Sequence, residues 1–395
     1  MNAVGIIAEY NPLHNGHAFH LKEARRLAGA DAVVVAMSGD FVQRGEPAIL
    51  NKWARAKLAV QNGADVVIEI PAVFCLQSAN VYAKAGVSLL KSCGVSKLAF
   101  GSESGNSSLI KRVADNLNNS QTEIESGIRK LIKDGYSYPR ARQLVYNALF
   151  NNSDESCILE QPNDILAVEY ARNADDMELI AIKRQGCGYN DAPDESKEYQ
   201  SATAIRDLIA SEGEYGDYVP EDVYNELQDA IKVHPDDFLK TLKYAVLSMS
   251  AEDIDKCPSG GEGIGYKIKS SVSGTESWDE LISSLKSKRY TYTRLSRLCM
   301  QIVLGINGLY YESVPEYIRI LALSEKGRFY ISELNNSEAG LLPVITNVGR
   351  QMKSLNKDAY DMLSSDIHAA DIYNFVSGAD EKNLSDYRMR PYIQE

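Results

Sequence analysis

The sequence has 395 residues, of which 44% are hydrophobic, and carries 42 Lys and Arg against 54 Asp and Glu, a formal net charge of -12. A chain of this length usually folds around more than one hydrophobic core, so we expect two domains. The excess of acidic residues argues against a general binder of polyanions without excluding a local basic surface. No run reaches the roughly 18 consecutive apolar residues of a membrane span, and the first residues lack the pattern of a secretory signal, which predicts a cytoplasmic protein without membrane contact.

Metal and disulfide frameworks are not indicated by the cysteines. All six are scattered, with no CxxC pair and no cysteine or histidine at the spacing of a metal site. Structural zinc sites and disulfide scaffolds depend on such spacings. We therefore expect reduced, mostly buried thiols and no metal held by the protein itself.

The first hundred residues alternate between apolar, β-branched runs and segments of helical spacing. The strand-like runs are AVGIIAE (3–9), DAVVVAM (31–37), DVVIEIP (65–71) and KLAFG (97–101). The helix-like segments are HAFHLKEARRLAGA (17–30), KWARAKLAVQNGA (52–64) and SANVYAKAGVSLLKSCG (78–94). This alternation predicts an α/β, Rossmann-like domain with a parallel sheet, whose ligands bind beyond the carboxyl ends of the strands.

The same pattern continues to about residue 215. Helices are predicted at 135–150, 162–174 and 201–213, and a further strand, ELIAIKRQG, at 178–186. An acidic stretch from about residue 212 then leads into helical periodicity with few strand signals. We expect a first domain over 1–215 and a mainly helical domain over 216–395, with a return to mixed character from about residue 310.

Three of the five histidines stand in IAEYNPLHNGHAFH, residues 7–20, directly after the first predicted strand. Gly16 allows close approach of the backbone to a ligand, and His17 opens a helix whose free N–H groups favour negative charge. Imidazoles there can donate to phosphate oxygens whose charge grows during in-line displacement at phosphorus, so His14 and His17 are candidate catalytic residues. The alternative to a catalytic role is that His14 and His17 make only incidental contacts, and the alternative for His20 is packing along its helix.

Two motifs carry a resemblance to a known superfamily. YNPLHNGHAFHL resembles the HxGH signature of the adenylyl-transferring enzymes, which include pantetheine-phosphate and nicotinate-nucleotide adenylyltransferases and, more distantly, class I aminoacyl-tRNA synthetases. SATAIR, residues 201–206, is similar to the second motif of that superfamily, which holds the β- and γ-phosphates at a helix start. Ser201 and Thr203 suit a helix cap, and Arg206 offers a charged fork to phosphate. An ordinary helix cap is the alternative.

A narrower resemblance covers nearly the whole chain. The segments GDFVQRGEPAILNKWARAKLA, GYSYPRARQ, PNDILAVEY, KRQGCGYND and RYTYTRLSRL resemble, in matching order, the bacterial tRNA(Met) cytidine acetate ligases. The resemblance implies a two-step reaction in which acetate attacks the α-phosphate of ATP to give acetyl-adenylate and pyrophosphate. The wobble cytidine (C34) of elongator tRNA(Met) then takes the acetyl group on N4, which yields N4-acetylcytidine and AMP.

The resemblance also implies which residues contact ATP. Catalytic roles fall to His14, His17 and Arg206. The implied ATP-binding residues are Ile7, Ala8, Glu9, Tyr10, Asn11, Pro12, Leu13, His14, Asn15, Gly16, His17, Ala18, Phe19, His20, Gly101, Asn163, Arg184, Gln185, Ser201 and Thr203. Gln185 departs from the family pattern, in which an aliphatic residue follows the arginine. The alternatives to ATP binding are a helix N-cap role for Asn163 and, for Arg184, a solvent-exposed charge at the end of a strand.

Residues after the second strand are expected at the same edge of the sheet. Gly39, Asp40, Gln43 and Arg44 follow DAVVVAM, so we expect them to face the crevice. Arg44 is a candidate to hold acetate or a phosphate, with a solvated charge as the alternative. Magnesium is expected to arrive with ATP, because no dedicated carboxylate cage is visible.

A basic run supplies the candidate RNA contacts. Residues 283–300 contain no acidic side chain and combine cations, which meet phosphates, with tyrosines, which can stack on unpaired bases. The candidates are Lys286, Lys288, Arg289, Tyr290, Tyr292, Arg294 and Arg297. A second candidate set is Arg129, Lys130, Lys133, Arg140 and Arg142. A solvated helix face is the alternative for both.

Two other function classes remain open from the sequence. A small-molecule adenylyltransferase would share HNGH and SATAIR but is usually much shorter. A non-catalytic, nucleotide-gated RNA-binding protein would keep the basic run yet could lose His14, His17 or Arg206. GGEGIGYKIK, residues 260–269, is expected to be a flexible loop leading into a helix, because no β-branched run precedes it as a dinucleotide fingerprint requires. The oligomeric state is left open.

Overall fold

The computed structural model describes residues 1–184, 199–308, 313–335, 342–380 and 384–395. The strands are β1 (Ala3–Ala8), β2 (Ala32–Ser38), β3 (Phe41–Val42), β4 (Glu46–Pro47), β5 (Val66–Ile70), β6 (Lys97–Ser102), β7 (Glu178–Lys183), β8 (Ile318–Leu323), β9 (Val344–Ile345) and β10 (Tyr392–Ile393). The central sheet has the order β10-β8-β5-β2-β1-β6-β7, with β9 paired to β8. A separate hairpin joins β3 and β4 in antiparallel fashion.

Helices cover both faces of this sheet and form the region that follows β7. The helices of the first part are α1 (Asn15–Ala28), α2 (Lys52–Gln61), α3 (Ala72–Cys75), α4 (Ala79–Ser92), α5 (Ser107–Asn119), α6 (Gln121–Lys133), α7 (Tyr138–Phe150), α8 (Ser153–Ile158), α9 (Pro162–Asn173) and α10 (Ala202–Ala210). Those that follow are α11 (Glu221–Asp229), α12 (Leu239–Ser248), α13 (Ala251–Asp255), α14 (Ile264–Ser271), α15 (Trp278–Leu285), α16 (Tyr292–Leu304), α17 (Glu325–Asn335), α18 (Val348–Gln351) and α19 (Lys357–Ser377).

The central strands are apolar throughout because both faces of the sheet are buried. Along β2, Val33 and Val35 face one core, whereas Val34 and Ala36 face the other. Strands β5, β2, β1, β6 and β7 run parallel to one another. The predicted Rossmann-like parallel sheet is confirmed, and its strand order reverses direction between β1 and β6. Such a reversal opens a crevice at the carboxyl ends of the two strands.

The chain returns to this sheet near its end. Strand β8 pairs antiparallel with β5, and β10 pairs parallel with β8. The return to mixed character after residue 310 is therefore confirmed, and residues 216–308 are helical as expected. The domain division at residue 215 stays a prediction, although the strands of the last part extend the sheet of the first.

A buried cluster of charges fastens the C-terminal segment to the sheet. Lys52 Nζ lies 2.8 Å from Glu69 Oε1 and 2.8 Å from Asp386 Oδ2, and Arg319 Nη1 lies 2.8 Å from the same Asp386 oxygen. Burial raises the pKa of Asp386, but Arg319 and Lys52 outweigh burial and bring this pKa to about 2. The carboxylate is therefore charged at neutral pH and compensates two buried cations.

Two negative findings apply to the described part of the chain. None of its helices combines the length and the hydropathy needed to cross a membrane. Within the same ranges, no group of three or more His, Cys, Asp or Glu side chains is arranged to hold a metal ion.

Candidate functional site

A cavity of about 300 Å³ lies at the reversal point of the sheet. Its floor is formed by the carboxyl ends of β1, β6 and β7. Its walls come from α1, the β3–β4 hairpin, α4, α9 and α10. The crevice predicted from the strand pattern is therefore open, and the segment from Ile7 to His20 contributes to its lining.

The histidines of this segment start helix α1. His14 has an extended backbone and precedes the first helical residue, Asn15, and His17 N donates to His14 O at 2.8 Å. The two rings are stacked, with centroids 3.7 Å apart and planes at 24°. A Cβ at Gly16 would lie 2.9 Å from His14 Cε1, so glycine makes room for this stack. The helix N-terminus and both imidazoles thus border one cavity.

Burial keeps these imidazoles neutral in the free protein. Burial and then the charge of Arg184 lower the pKa of His14 to about 3 and that of His20 to about 4. Burial and the adjacent His14 lower the pKa of His17 as well. Each neutral ring offers one N–H donor.

Several polar atoms of this wall lack a protein partner. Among the residues that the structure describes, His14 Nδ1, His20 Nε2, Asn11 Nδ2 and Tyr10 Oη are buried without a hydrogen bond. A buried polar atom without a partner costs about 1–3 kcal/mol. A polar ligand in the cavity would reduce that cost.

SATAIR forms the start of α10, on the opposite wall. Ser201 Oγ accepts Ala204 N–H at 3.1 Å, which confirms the helix cap. Thr203 lies in the first turn and, like Ser201, lines the cavity. Arg206 Nη1 donates to Asn11 O at 2.7 Å and Nη2 to Glu46 Oε2 at 3.1 Å. These contacts hold the guanidinium against the turn that carries the histidines.

Arg184 and Gly101 meet at the ends of β7 and β6. The main-chain N–H of Arg184 donates to Ser102 O at 2.9 Å, and burial lowers the pKa of its guanidinium. A Cβ at Gly101 would lie 3.6 Å from Arg184 Cγ, an ordinary contact. The protein itself therefore leaves room for a methyl group there, and a ligand contact at Gly101 stays a prediction. Gln185 lies outside the described residues.

Asn163 lines the cavity from the first turn of α9. Its side chain donates to Glu103 Oε1 at 2.6 Å, and the same carboxylate accepts the main-chain N–H groups of Asn163 and Asp164. The N-cap position belongs to Gln161, so an N-cap role for Asn163 is wrong. Sequence reasoning missed Glu103, because the contact joins residues sixty positions apart.

The expectation for the residues after β2 is correct in part. Gln43 and Arg44 line the cavity. The Asp40 carboxylate instead accepts Lys52 N–H at 2.6 Å, and a Cβ at Gly39 would collide with Glu69 Oε1. The short β3–β4 hairpin turns the chain after Asp40, so only its tip reaches the crevice.

The basic run at 283–300 is divided between surface and interior. Tyr290 is 7% exposed, its hydroxyl donates to Gly261 O, and Arg294 lies over its ring, with Cζ 4.3 Å from the centroid. The proposed stacking of Tyr290 on an RNA base is therefore wrong for this conformation. Arg294 also donates to the carbonyl oxygens of Ser259 and Gly260.

Arg297 and Tyr292 also have partners within the protein. Arg297 is half-buried, and its Nη1 donates to Gln43 O at 3.3 Å. The Tyr292 hydroxyl donates to Asp279 Oδ1 at 2.6 Å. Lys286, Lys288 and Arg289 are exposed, and their role in RNA binding stays a prediction.

In the second basic set, Arg142 is buried, and its Nη1 lies 2.6 Å from Glu169 Oε1. The other members of that set are exposed on α6 and α7: Arg129, Lys130, Lys133 and Arg140. The segment at 260–269 is a turn that leads into α14, as expected for a loop before a helix.

Sequence reasoning missed the aromatic part of the cavity wall. Tyr82 of α4 and Tyr170 of α9 are buried at its edge, and Tyr199 borders the N-terminal turn of α1. No motif marks Tyr82 or Tyr199, and Tyr170 was not singled out although it ends the segment PNDILAVEY. Their positions depend on how α4 and α9 pack on the sheet.

Comparisons with known proteins agree with this geometry. The family model described as HIGH Nucleotidyl Transferase matches residues 1–387. A protein of Clostridium acetobutylicum named tRNA(Met) cytidine acetate ligase is 37% identical over 95% of this chain and 96% of its own length. A Clostridium perfringens protein of the same name is 35% identical over the full length of both chains.

Solved structures of proteins in the same family are also similar to this chain. Thermotoga maritima TmcAL in its apo form has 31% identity and a TM-score of 0.92, covering 100% of this chain and 99% of that one. The same protein bound with alpha-thio ATP has 32% identity and a TM-score of 0.89. The chain therefore belongs to the HIGH nucleotidyl transferase family and, within it, to the tRNA(Met) cytidine acetate ligases.

Proposed function

We propose that this protein is an ATP-dependent ligase that activates acetate as acetyl-adenylate and transfers the acetyl group to N4 of the wobble cytidine of elongator tRNA(Met). The products are N4-acetylcytidine, AMP and pyrophosphate. The names of the relatives support the overall reaction, and the alpha-thio ATP bound to a structural neighbour supports the nucleotide. The observation that carries the proposal is the stacked pair of His14 and His17 at the start of α1, beside a cavity.

The triphosphate would lie along the N-terminus of α1. The free N–H groups there and the neutral imidazole donors of His14 and His17 suit phosphate oxygens. Charge on these oxygens grows as acetate displaces pyrophosphate, so donors that are already in place lower the barrier. Arg184 and Arg206 border the same cavity and add positive charge from two further walls.

Acetate needs a cation and a dry site. Arg44 at the tip of the β3–β4 hairpin is the proposed partner of the carboxylate. Attack through one acetate oxygen forms a bond to the α-phosphorus and expels pyrophosphate. The resulting acyl-phosphate anhydride hydrolyses in water, so the enclosed wall around Tyr82 and Tyr170 would protect it. The magnesium ion would arrive with ATP and offset the phosphate charge.

The transfer step requires an anticodon loop at the mouth of the cavity. The exposed cations Lys286, Lys288 and Arg289 are the proposed contacts for the tRNA backbone. They belong to the loop that leads from α15 into α16, whereas Ser296 of α16 donates to Gly45 O of the β3–β4 hairpin at 2.7 Å. RNA bound to this loop would thus be connected to the hairpin that carries Arg44.

The test is to incubate the protein with ATP, ¹⁴C-acetate and an elongator tRNA(Met) transcript, digest the RNA and identify the labelled nucleoside. A matched transcript with uridine at the wobble position serves as the control. Label in N4-acetylcytidine from the cytidine transcript alone supports the proposal. Label that appears only in a small-molecule adenylate, or no consumption of ATP, would favour an adenylyltransferase or a non-catalytic RNA-binding protein.

A further inference from the structure

Glu9 is the acidic residue at the carboxyl end of β1, and it lines the cavity. Its Oε1 accepts the main-chain N–H of Gln43 at 2.9 Å. Its own carbonyl oxygen accepts Arg55 Nη1 at 2.6 Å. Both the backbone and the carboxyl group are therefore held in place at the centre of the site.

The neighbourhood of Glu9 is unusual for a group beside bound phosphates. A carboxylate repels a triphosphate and acetate alike, so phosphate binding gives no reason for its presence. Nor is it needed to neutralise Arg206, because Glu46 Oε2 already lies 3.1 Å from that guanidinium. Burial raises the pKa of Glu9, and the charge of Arg44 opposes that increase. The result is a carboxylate that binds a proton more readily than one in water.

The second half of the proposed reaction lacks a proton acceptor among the groups considered so far. The exocyclic amine of cytosine is a weak nucleophile because its lone pair is delocalised into the ring. After it attacks an acyl carbon, its nitrogen carries a proton that must leave. Departing AMP gains its second negative charge only as the bond to the acyl carbon breaks, and the proposed function assigns the imidazoles of His14 and His17 to phosphate. His20 is a weak base, because burial and the charge of Arg184 lower its pKa to about 4.

We propose that Glu9 is the general base of the acetyl-transfer step, which rests on the function proposed above. The lone pair of cytidine N4 forms a bond to the acetyl carbonyl carbon. The bond from that carbon to the bridging oxygen breaks, and its electron pair leaves with AMP. One amine proton moves to the Glu9 carboxylate, which later returns it to water. Atoms and charges balance without any further reactant.

The two half-reactions differ in their need for a base. Acetate is already ionised at neutral pH and needs no base to attack the α-phosphate, so a base at Glu9 acts only in transfer. General-base catalysis contributes about 10²–10⁴-fold. Glu9→Gln preserves the size of the side chain and an oxygen that can accept the Gln43 N–H, but it cannot take a proton. We expect this variant to slow transfer by about 100-fold or more, a loss about ten times or more larger than the loss in acetate-dependent ATP–pyrophosphate exchange.

The pH dependence gives a second readout. The transfer rate of the natural protein rises with pH as Glu9 ionises, and in Glu9→Gln that acidic limb disappears. The charged and titratable groups that face Glu9 are unchanged in this variant: Arg44 and Glu46 of the β3–β4 hairpin, Arg55 of α2, Tyr82 of α4, Tyr170 of α9 and Arg206 of α10.

The experiment compares the natural protein with Glu9→Gln and Glu9→Asp. Exchange is measured with acetate and labelled pyrophosphate, and transfer in a single turnover from enzyme-bound acetyl-adenylate to tRNA. A loss in Glu9→Gln at least ten times larger in transfer than in exchange, with partial recovery in Glu9→Asp, supports the proposal. Equal losses in both steps, or unchanged transfer, overturn it. Absence of acetylated tRNA with the natural protein would instead overturn the proposed function, and the role of Glu9 as a base would be overturned with it.

Discussion

The imidazole of His17 stacks on that of His14 at the first turn of α1, with ring centroids 3.7 Å apart. Tyr10 meets His17 edge-on at a centroid distance of 5.0 Å, which fixes the pair from the other side. Both rings have a lowered pKa, chiefly because they are buried. The two imidazoles are therefore neutral and held in a fixed arrangement in the free protein.

Removal of one donor should impair the first half-reaction. We expect His17→Ala to reduce acetate-dependent ATP–pyrophosphate exchange by about 10²–10³-fold, the cost of losing one donor to a developing oxyanion. His368→Ala is the matched control, because His368 is exposed on α19. Exchange that survives His17→Ala at the control rate would place phosphate binding elsewhere.

The buried histidines should make the free protein sensitive to acid. The pKa of His20 falls from its usual 6.5 to about 4 in the fold, so between these values the unfolded chain binds a proton that the folded chain does not. The contribution of neutral, buried His20 to the free energy of unfolding is fully present above pH 6.5 and is lost as the pH falls toward 4. At pH 5 the contribution of His20 to this loss is about 2 kcal/mol.

Urea unfolding at pH 7.5 and pH 5.0 measures this effect. In His20→Gln, the loss of unfolding free energy between the two pH values should be smaller than in the natural protein by about 2 kcal/mol. An identical loss in both proteins would mean that His20 is protonated as readily in the fold as in the unfolded chain.

The basic run should show two kinds of arginine. Arg289 is exposed, so Arg289→Ala should weaken tRNA binding and reduce the slope of log affinity against log salt by about 1. Arg294 is held by two backbone carbonyls and by the Tyr290 ring, so Arg294→Ala should lower thermal stability and leave that slope unchanged. A reduced slope for Arg294→Ala with full stability would contradict this division.

The buried ion cluster should be important for stability. Asp386→Ala leaves Lys52 and Arg319 without their shared carboxylate oxygen, and loss of one partner from a buried pair costs about 3–5 kcal/mol. The measurement is the free energy of unfolding in urea at pH 7.5. Glu23→Ala is the control, since its pair with Arg26 lies at the surface and should contribute nothing measurable.

The sequence predicts much of the fold because its signals are local. The strands are apolar at consecutive positions since both faces are covered, and Ser201 caps α10 through a contact three residues away. The crevice follows from strand order, so the segment at 7–20 could be placed in it. Strand β8 was less evident, because its partner β5 lies some 250 residues earlier in the chain.

Contacts between distant residues explain what the sequence could not predict. Charge alone marks Arg294 and Arg297 as candidates for RNA, yet their partners are backbone oxygens at Ser259, Gly260 and Gln43. Burial of Tyr290 likewise depends on a loop some 30 residues earlier. Composition shows which residues are charged or aromatic, but only tertiary packing decides which remain accessible.

The most direct test of the central claim follows the oxygen atoms of acetate. If acetate attacks the α-phosphate at the start of α1, one acetate oxygen becomes the bridge of the adenylate and stays on AMP after transfer. The protein is incubated with ¹⁸O-labelled acetate, ATP and tRNA, and the AMP is analysed by mass spectrometry. We predict one ¹⁸O atom per AMP formed with acetylated tRNA. Unlabelled AMP, or label in inorganic phosphate, would contradict the account.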